Sequence, residues 1–219
     1  MSNNRELPEA TVGRLPVYLR ALQEGMDSND TTVSSQRLAE LSGVNAAKVR
    51  KDLSYLGTYG IRGVGYDVRL LVYRIQQELG LTQDWPVAIV GFGNLGHALA
   101  NYKGFAERGF RIAAIFDSDD AKVGERIGEV SVRHTDDLNE VCREEEIAIA
   151  IIATPAGSAQ EVANRLTDAG VKAILNFAPV VINARNATVR KVDLSMELQI
   201  LTFYQQRTKQ IPDLTAGED

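Results

Sequence analysis

Residues 87–101 read VAIVGFGNLGHALAN. An apolar run enters Gly91, Gly93 and Gly96, and a helical pattern leaves them. The spacing is G-x-G-x-x-G between a buried strand and a helix, which is the context in which this motif binds a dinucleotide. Gly91 permits the tight turn, Gly93 lets the backbone approach a pyrophosphate, and Gly96 lets helix and strand pack closely. The new helix offers backbone donors and the positive end of its dipole to the phosphates. No other feature of the chain restricts its fold so strongly.

The rest of the C-terminal part agrees with that demand. PVAIVG is followed by a predicted helix from Asn94 to about Glu107, then by RIAAIFD and a variable stretch leading into a helix at DDLNEVCREEE. IAIAIIAT, the helix GSAQEVANRLTDAG and the strand KAILNFAP come next. β-rich apolar runs alternating with amphipathic helices predict an α/β domain over residues 85–192. Its sheet is a doubly wound (Rossmann) parallel one, wrapped on both faces. The second strand ends in Asp117, 21 residues after Gly96. An acid there accepts hydrogen bonds from the adenosine ribose and repels the extra phosphate of NADP. Ser118, Asp119 and Asp120 beside it offer no Arg to that phosphate, so NAD(H) is the expected cofactor. The candidate cofactor-binding residues are Gly91, Phe92, Gly93, Asn94, Leu95, Gly96, Asp117 and, at the nicotinamide end, Thr154 and Pro155.

The N-terminal part is helical. TVGRLPVYLRALQEGM places Val12, Leu15, Leu19 and Leu22 at steps of three and four, the mark of one amphipathic helix. Ser34 or Ser35 caps a short helix that Gly43 ends, and Asn45 caps another that Gly57 ends. Two short helices around a Gly-containing turn predict a helix-turn-helix over about 18–57. On the second helix Ala46, Val49, Leu53 and Leu56 share one face. Lys51 projects almost opposite, with Ser54 and Tyr55 nearby and Lys48 and Arg50 flanking. Cations and hydroxyls outside with apolar residues inside are what a major-groove reader needs. GTYGIRGVGYDV then alternates glycines with β-branched and aromatic residues, which predicts a hairpin wing over 58–67 with Arg62 near its tip. Residues 1–80 thus read as a winged helix-turn-helix that binds double-stranded DNA. A further helix, YDVRLLVYRIQQELG, carries Leu70, Leu71, Ile75 and Leu79, and a break at 80–85 precedes the second domain.

The charge is consistent with that division. The net charge of -5 argues weakly against nucleic acid. Residues 1–80 nevertheless hold 10 Lys/Arg against 9 Asp/Glu, so the excess acid lies in the other part. Local potential, rather than the total, decides binding. A single cysteine, Cys142, forbids an intramolecular disulfide and fits a cytoplasmic location. The polar N-terminus predicts no signal peptide, and no apolar run approaches the ~18 residues of a membrane span.

Hydride transfer to a carbonyl asks for a proton donor, commonly His, Lys or a tuned Tyr. The only histidines are His97, in the first turn after Gly96, and His134, in a polar loop. No Tyr is followed four residues later by Lys, and little sequence remains for a substrate domain. The chain is therefore expected to have no catalytic residue and no metal site.

With RLPVYLRALQ, SSQRLAELSGVNAAKVRKDLSYLG, GIRGVGYDV, VGFGNLGHALANY, NFAP and VDLSMELQ all present, nearly the whole sequence resembles the Rex redox-sensing transcriptional repressors. The resemblance implies a homodimer whose winged helices hold operator DNA until NADH releases them, with NAD+ competing. It also implies that a C-terminal helix, residues 193–208, is exchanged between protomers, ahead of a tail at 209–219. Independently, LSMELQILTFYQQR is too apolar around its circumference for a free terminal helix. By the same resemblance Arg20 and Asp193 form a switch pair and Tyr102 lies near the nicotinamide, while Leu194 stands where some relatives carry Phe. The competing readings are a small NAD-dependent dehydrogenase and a CoA-binding protein with a dimerising N-terminal domain.

Overall fold

A computed structural model describes residues 7–25, 30–57, 60–61 and 63–209. The chain divides between Gln83 and Asp84 into two compact units.

The first unit is helical with a small ribbon. α1 (Glu9–Val12) and α2 (Leu15–Glu24) replace the single helix expected from the apolar spacing. The break falls at Gly13–Arg14, just before Pro16, whose ring nitrogen has no proton for a continuing helical ladder. α2 buries Leu15, Tyr18, Leu19 and Leu22, whereas Val12 is half-exposed and Thr11 is buried instead. α3 (Ser35–Ser42) is capped by Ser34, whose Oγ accepts from Arg37 N at 3.0 Å, and it ends at Gly43. α4 (Ala46–Tyr55) is capped by Asn45, which accepts from Ala47 N at 2.8 Å. β1 (Thr32–Val33), not foreseen from the sequence, pairs antiparallel with β2 (Tyr66–Asp67). A bridge between Ile61 and Gly65 forms the described part of the wing. Thr58, Tyr59 and Arg62 lie outside the described residues. Asp67 caps α5 (Val68–Glu78), which buries Leu71 and Ile75 and leaves Leu70 exposed. Leu15, Tyr18, Leu38, Val49, Leu53, Leu71 and Ile75 make one core.

The second unit is a seven-stranded sheet in the order β5-β6-β4-β3-β7-β8-β9. The strands are β3 (Trp85–Val90), β4 (Phe110–Asp117), β5 (Arg126–Ile127), β6 (Val130–His134), β7 (Ile149–Ile152), β8 (Ala173–Asn176) and β9 (Thr188–Lys191). All pairs are parallel except β5 with β6. From β6 to β9 this is the doubly wound dinucleotide order, which reverses direction between β3 and β7. The β5–β6 hairpin lies within the stretch that carried no clear sequence signal. α7 (Leu138–Glu144) and α8 (Ala156–Asp168) cover one face, burying Val90, Phe116, Ile152, Leu138 and Leu166. The other face bears α6 (Asn94–Ala100). α6 stops well short of Glu107, with Asn101 bonded back to His97 O at 2.9 Å and Gly104 opposing continuation. The sheet is therefore not wrapped equally on both sides. An apolar groove of about 410 Å³, lined by Phe105, Phe110, Ile149 and Leu175 among others, stays open on the α6 side. α9 (Leu194–Lys209) closes the described chain, with Leu194, Met196, Leu198, Ile200, Leu201, Phe203 and Tyr204 all exposed.

Candidate nucleotide crevice and nucleic-acid face

The carboxyl ends of β3 and β7 lie side by side, where the strand order reverses and open sheets of this class hold ligands. Gly91 leaves β3 at φ 100°, and a Cβ on it would stand 2.6 Å from Ala153 O. A Cβ on Gly96 would stand 1.8 Å from Gly91 O. Both positions therefore exclude every side chain, one through its turn and the other through helix–strand contact. A Cβ on Gly93 would meet nothing within 4 Å. Gly93 begins α6 without a side-chain cap, beside exposed Asn94 and Leu95, while Phe92 is buried. The crevice has a volume of about 640 Å³ and is lined by Gly91, Gly93, Asp117, Lys122, Thr154, Pro155 and Arg165 among others. Thr154 Oγ1 is buried without a hydrogen-bond partner on this wall. An orphaned hydroxyl costs stability unless something bonds to it. The unfilled approach to Gly93 and the unpartnered Thr154 both fit a phosphate- and hydroxyl-bearing dinucleotide.

Asp117 lies on the same crevice wall. Its Oδ2 accepts from Phe92 N at 2.6 Å, and its Oδ1 accepts from Asp119 N at 2.9 Å. Lys122 Nζ donates to Oδ2 at 3.2 Å. Burial pushes the Asp117 pKa up, but the two backbone donors and the ammonium outweigh it and hold the carboxyl below its usual range. Ser118, Asp119 and Asp120 indeed provide no cation, yet the turn at Asp119 brings Lys122 back onto Asp117. Lys122 is not among the site residues expected from the sequence. Its one local signal is an Asp whose Oδ1 accepts from Ala121 N, two positions on, and so tightens the turn.

Tyr102 is exposed and packs edge-on against Phe105, with ring centroids 5.1 Å apart. It does not line the crevice with Asp117 and Thr154. His97 is exposed and tilted on the Phe92 ring. His134 Nδ1 accepts from Asp136 N at 3.2 Å, capping a short turn. Among the described residues no group of three or more His, Cys, Asp or Glu is arranged to hold a metal ion.

On the first unit, α4 presents Lys48, Arg50, Lys51 and Ser54 to solvent, and Tyr55 is half-buried. Arg50 Nη1 donates to Ser35 Oγ at 3.2 Å, and Ser54 Oγ turns back to Lys51 O at 2.6 Å. Asp52, the one acid in the α4 sequence, is buried. It accepts from Thr11 Oγ1 at 2.9 Å, Arg14 Nε at 2.7 Å, Arg14 Nη2 at 2.8 Å and Tyr18 Oη at 2.7 Å. Burial pushes the Asp52 pKa up, but bonds from Arg14, Tyr18 and Thr11 hold it below the usual range. Helix geometry could have revealed part of this, since steps of about 100° put Asp52 roughly 60° from Val49, at the edge of the apolar stripe. With Asp52 turned inward, the outer face of α4 carries cations and no acid.

Of the two residues assigned to a switch, Arg20 Nε donates to Glu24 at 2.8 Å on α2. Asp193 caps α9, accepting from Ser195 Oγ at 2.6 Å and Ser195 N at 3.2 Å, and pairs with Lys191 at 3.0 Å. The bonds from Ser195 and Lys191 lower its pKa to about 2.

A family model described as a CoA binding domain matches residues 82–180, and one described as a putative DNA-binding protein N-terminus matches residues 6–54. The redox-sensing transcriptional repressor Rex of Streptomyces coelicolor is 59% identical over 207 residues, covering 94% of this chain and 80% of that protein. The Rex repressor of Carboxydothermus hydrogenoformans is 51% identical over 199 residues, covering 90% and 96%. RSP in complex with NAD+ and operator DNA superposes with a TM-score of 0.88 at 33% identity, covering 94% of this chain and 95% of that one. RSP, a Rex-family repressor, in complex with NADH gives 0.83 at 32% identity, covering 94% and 97%.

Proposed function

The chain belongs to the Rex family of redox-sensing transcriptional repressors, and from that premise we propose that it is a homodimer that holds double-stranded operator DNA and lets it go when NADH binds. The observation that carries this reading is the presence, on one chain, of a recognition helix whose outer face carries cations and no acid, and of a dinucleotide crevice. In the crevice Gly91, Gly93 and Gly96 would pass the pyrophosphate, Asp117 the adenosine ribose, and Thr154 and Pro155 the nicotinamide side. Asp117 is expected to favour NAD(H) over NADP(H). On DNA, Lys51 and Arg50 would reach into the groove, with Ser54 and Tyr55 beside them, while Lys48 and Arg62 hold phosphates.

The nucleotide serves here as the signal, without turnover. Support comes from the histidines, one on an aromatic ring and one in a turn cap, neither placed as a proton relay. Burial also pushes the Cys142 thiol up to about 11, so it stays protonated at neutral pH. The redox state is thus read from a diffusible nucleotide and not from a thiol. A repressor of this kind works in the cytoplasm, beside the DNA. No helix among the described residues is long and apolar enough to cross a membrane.

The test is to mix the protein with fragmented genomic DNA, recover the bound fragments, and titrate them off with NADH, NAD+ or CoA. Release by NADH at concentrations where NAD+ and CoA leave the complex intact is expected. Bound fragments indifferent to NADH would refute the reading.

A further inference from the structure

We propose that Lys122 determines nucleotide specificity at the adenosine end of the crevice. Its ammonium offsets Asp117, so that an anionic 2′ substituent is excluded less strongly than the carboxylate alone would exclude it. The proposal rests on the reading of the crevice as a NAD(H) site.

Three observations carry it. First, Asp117 is heavily engaged. Phe92 N and Lys122 Nζ share Oδ2 and Asp119 N takes Oδ1, against about four lone-pair positions on a carboxylate. Second, Lys122 Nζ lies between two acids, 3.2 Å from Asp117 Oδ2 and 4.0 Å from Asp119 Oδ2, and its side chain remains about one-third exposed at 32%. An ammonium has three protons and Asp117 Oδ2 takes one of them, so two are left for a group entering the crevice. Third, the other cation on this wall is committed elsewhere. Arg165 Nη2 donates to Thr135 O and Asp136 O, and Nε donates to Asn139 Oδ1. Lys122 is therefore the crevice cation placed to answer charge at the ribose.

The sign follows from Coulomb's law. NADH and NADPH carry the same pyrophosphate, so its attraction to Lys122 cancels in their ratio. Only NADPH places further negative charge beside Asp117. There Lys122 attracts what Asp117 and Asp119 repel. Removing the ammonium should therefore weaken NADPH much more than NADH.

The experiment measures NADH and NADPH dissociation constants by calorimetry for the wild type, Lys122→Met and Lys122→Arg. Asp117 keeps both backbone donors in these variants, and thermal melts check that they fold. In Lys122→Met the NADPH constant should rise roughly tenfold and the NADH constant by about threefold or less. Lys122→Arg should stay near the wild-type ratio. The difference should shrink in high salt, as it must for a partly exposed charge. An unchanged or smaller NADPH/NADH ratio in folded Lys122→Met overturns the proposal and leaves Lys122 as a partner of Asp117 alone. Failure of the wild type to bind NADH would instead overturn the reading of the crevice itself.

Discussion

Lys48 and Lys51 are exposed on the same helix, but they stand at different angles from the buried face. Lys51 lies almost opposite Val49 and Leu53, the direction expected to face a groove, and Lys48 lies to the side, where contact with phosphates is expected. Their substitutions should differ in kind. Lys48→Ala should weaken binding evenly across DNA sequences. For a dimer losing one phosphate contact per protomer, the slope of log K against log salt should become shallower by about 2. Lys51→Ala should instead narrow the gap between operator and unrelated DNA, by roughly 1–3 kcal/mol if it contacts a base edge. NADH affinity should not change in either. Anisotropy titrations at several salt concentrations would decide, and equal losses on operator and unrelated DNA in Lys51→Ala would exclude a base contact.

At the scale of elements, the Asp52 cluster joins α4 to α1 and α2 through one carboxylate and three partners. A buried ion pair does not guarantee stability, but breaking one leaves its partner uncompensated. Arg14 keeps 27% of its side chain exposed, which softens the loss. Asp52→Asn should destabilise the first unit by about 2–3 kcal/mol and loosen the orientation of the recognition helix. The pH dependence has a definite sign. The Asp52 pKa is lowered on folding, so its contribution is complete above the unfolded value of about 3.9 and fades as pH falls through the folded one. The Tyr18 pKa is raised, first by burial and then by its bond to Asp52. Its contribution is complete below about 10 and fades as pH rises through the folded value. Urea melts should show a wild-type advantage that is constant from about pH 5 to 9 and narrows below about pH 3.9. An advantage unchanged down to pH 2.5 would mean that Asp52 is not stabilised as a carboxylate.

For the whole molecule, the seven exposed apolar residues of α9 and the open groove beside β7 and β8 are surfaces that a single protomer does not cover. A partner copy would account for the helix. Two recognition helices must stand about 34–36 Å apart to reach successive half-sites. NADH can displace them only by binding one dimer shape better than the other. A switch from 1:99 to 99:1 needs about 5.5 kcal/mol, or roughly 2.7 kcal/mol from each of two sites. We expect Arg20 and Asp193 to transmit part of it. Glu24 already holds Arg20 in an exposed pair of little energetic weight, so Arg20→Ala should not unfold the protein. Asp193→Asn is the matching variant, because it removes charge while keeping an oxygen to cap α9. Both should bind DNA and NADH separately yet need more NADH to release DNA. Release at wild-type NADH concentrations in both would disprove the Arg20–Asp193 switch and leave the repressor reading standing.

What the sequence determined by itself was whatever depends on near neighbours along the chain. The glycine loop between strand and helix, a serine cap at 34 or 35, the Asn45 cap and the apolar stripe of α4 are all written within a few residues. So is the alternation that calls for a doubly wound sheet. Where local signals conflict or fade, the sequence pattern and the fold part company. The apolar steps ran through Gly13 and Pro16 as if they were helix, and the β5–β6 hairpin left no run long enough to register. The tertiary structure alone decided which charges remain free. Asp52 meets Arg14 across 38 residues and Tyr18 across 34, and the oxygen of Asp117 that serves Phe92, 25 residues back, also takes the Lys122 ammonium. A carboxylate's effect depends on what stands within a few ångströms of it, and that distance is set by packing and not by position in the chain.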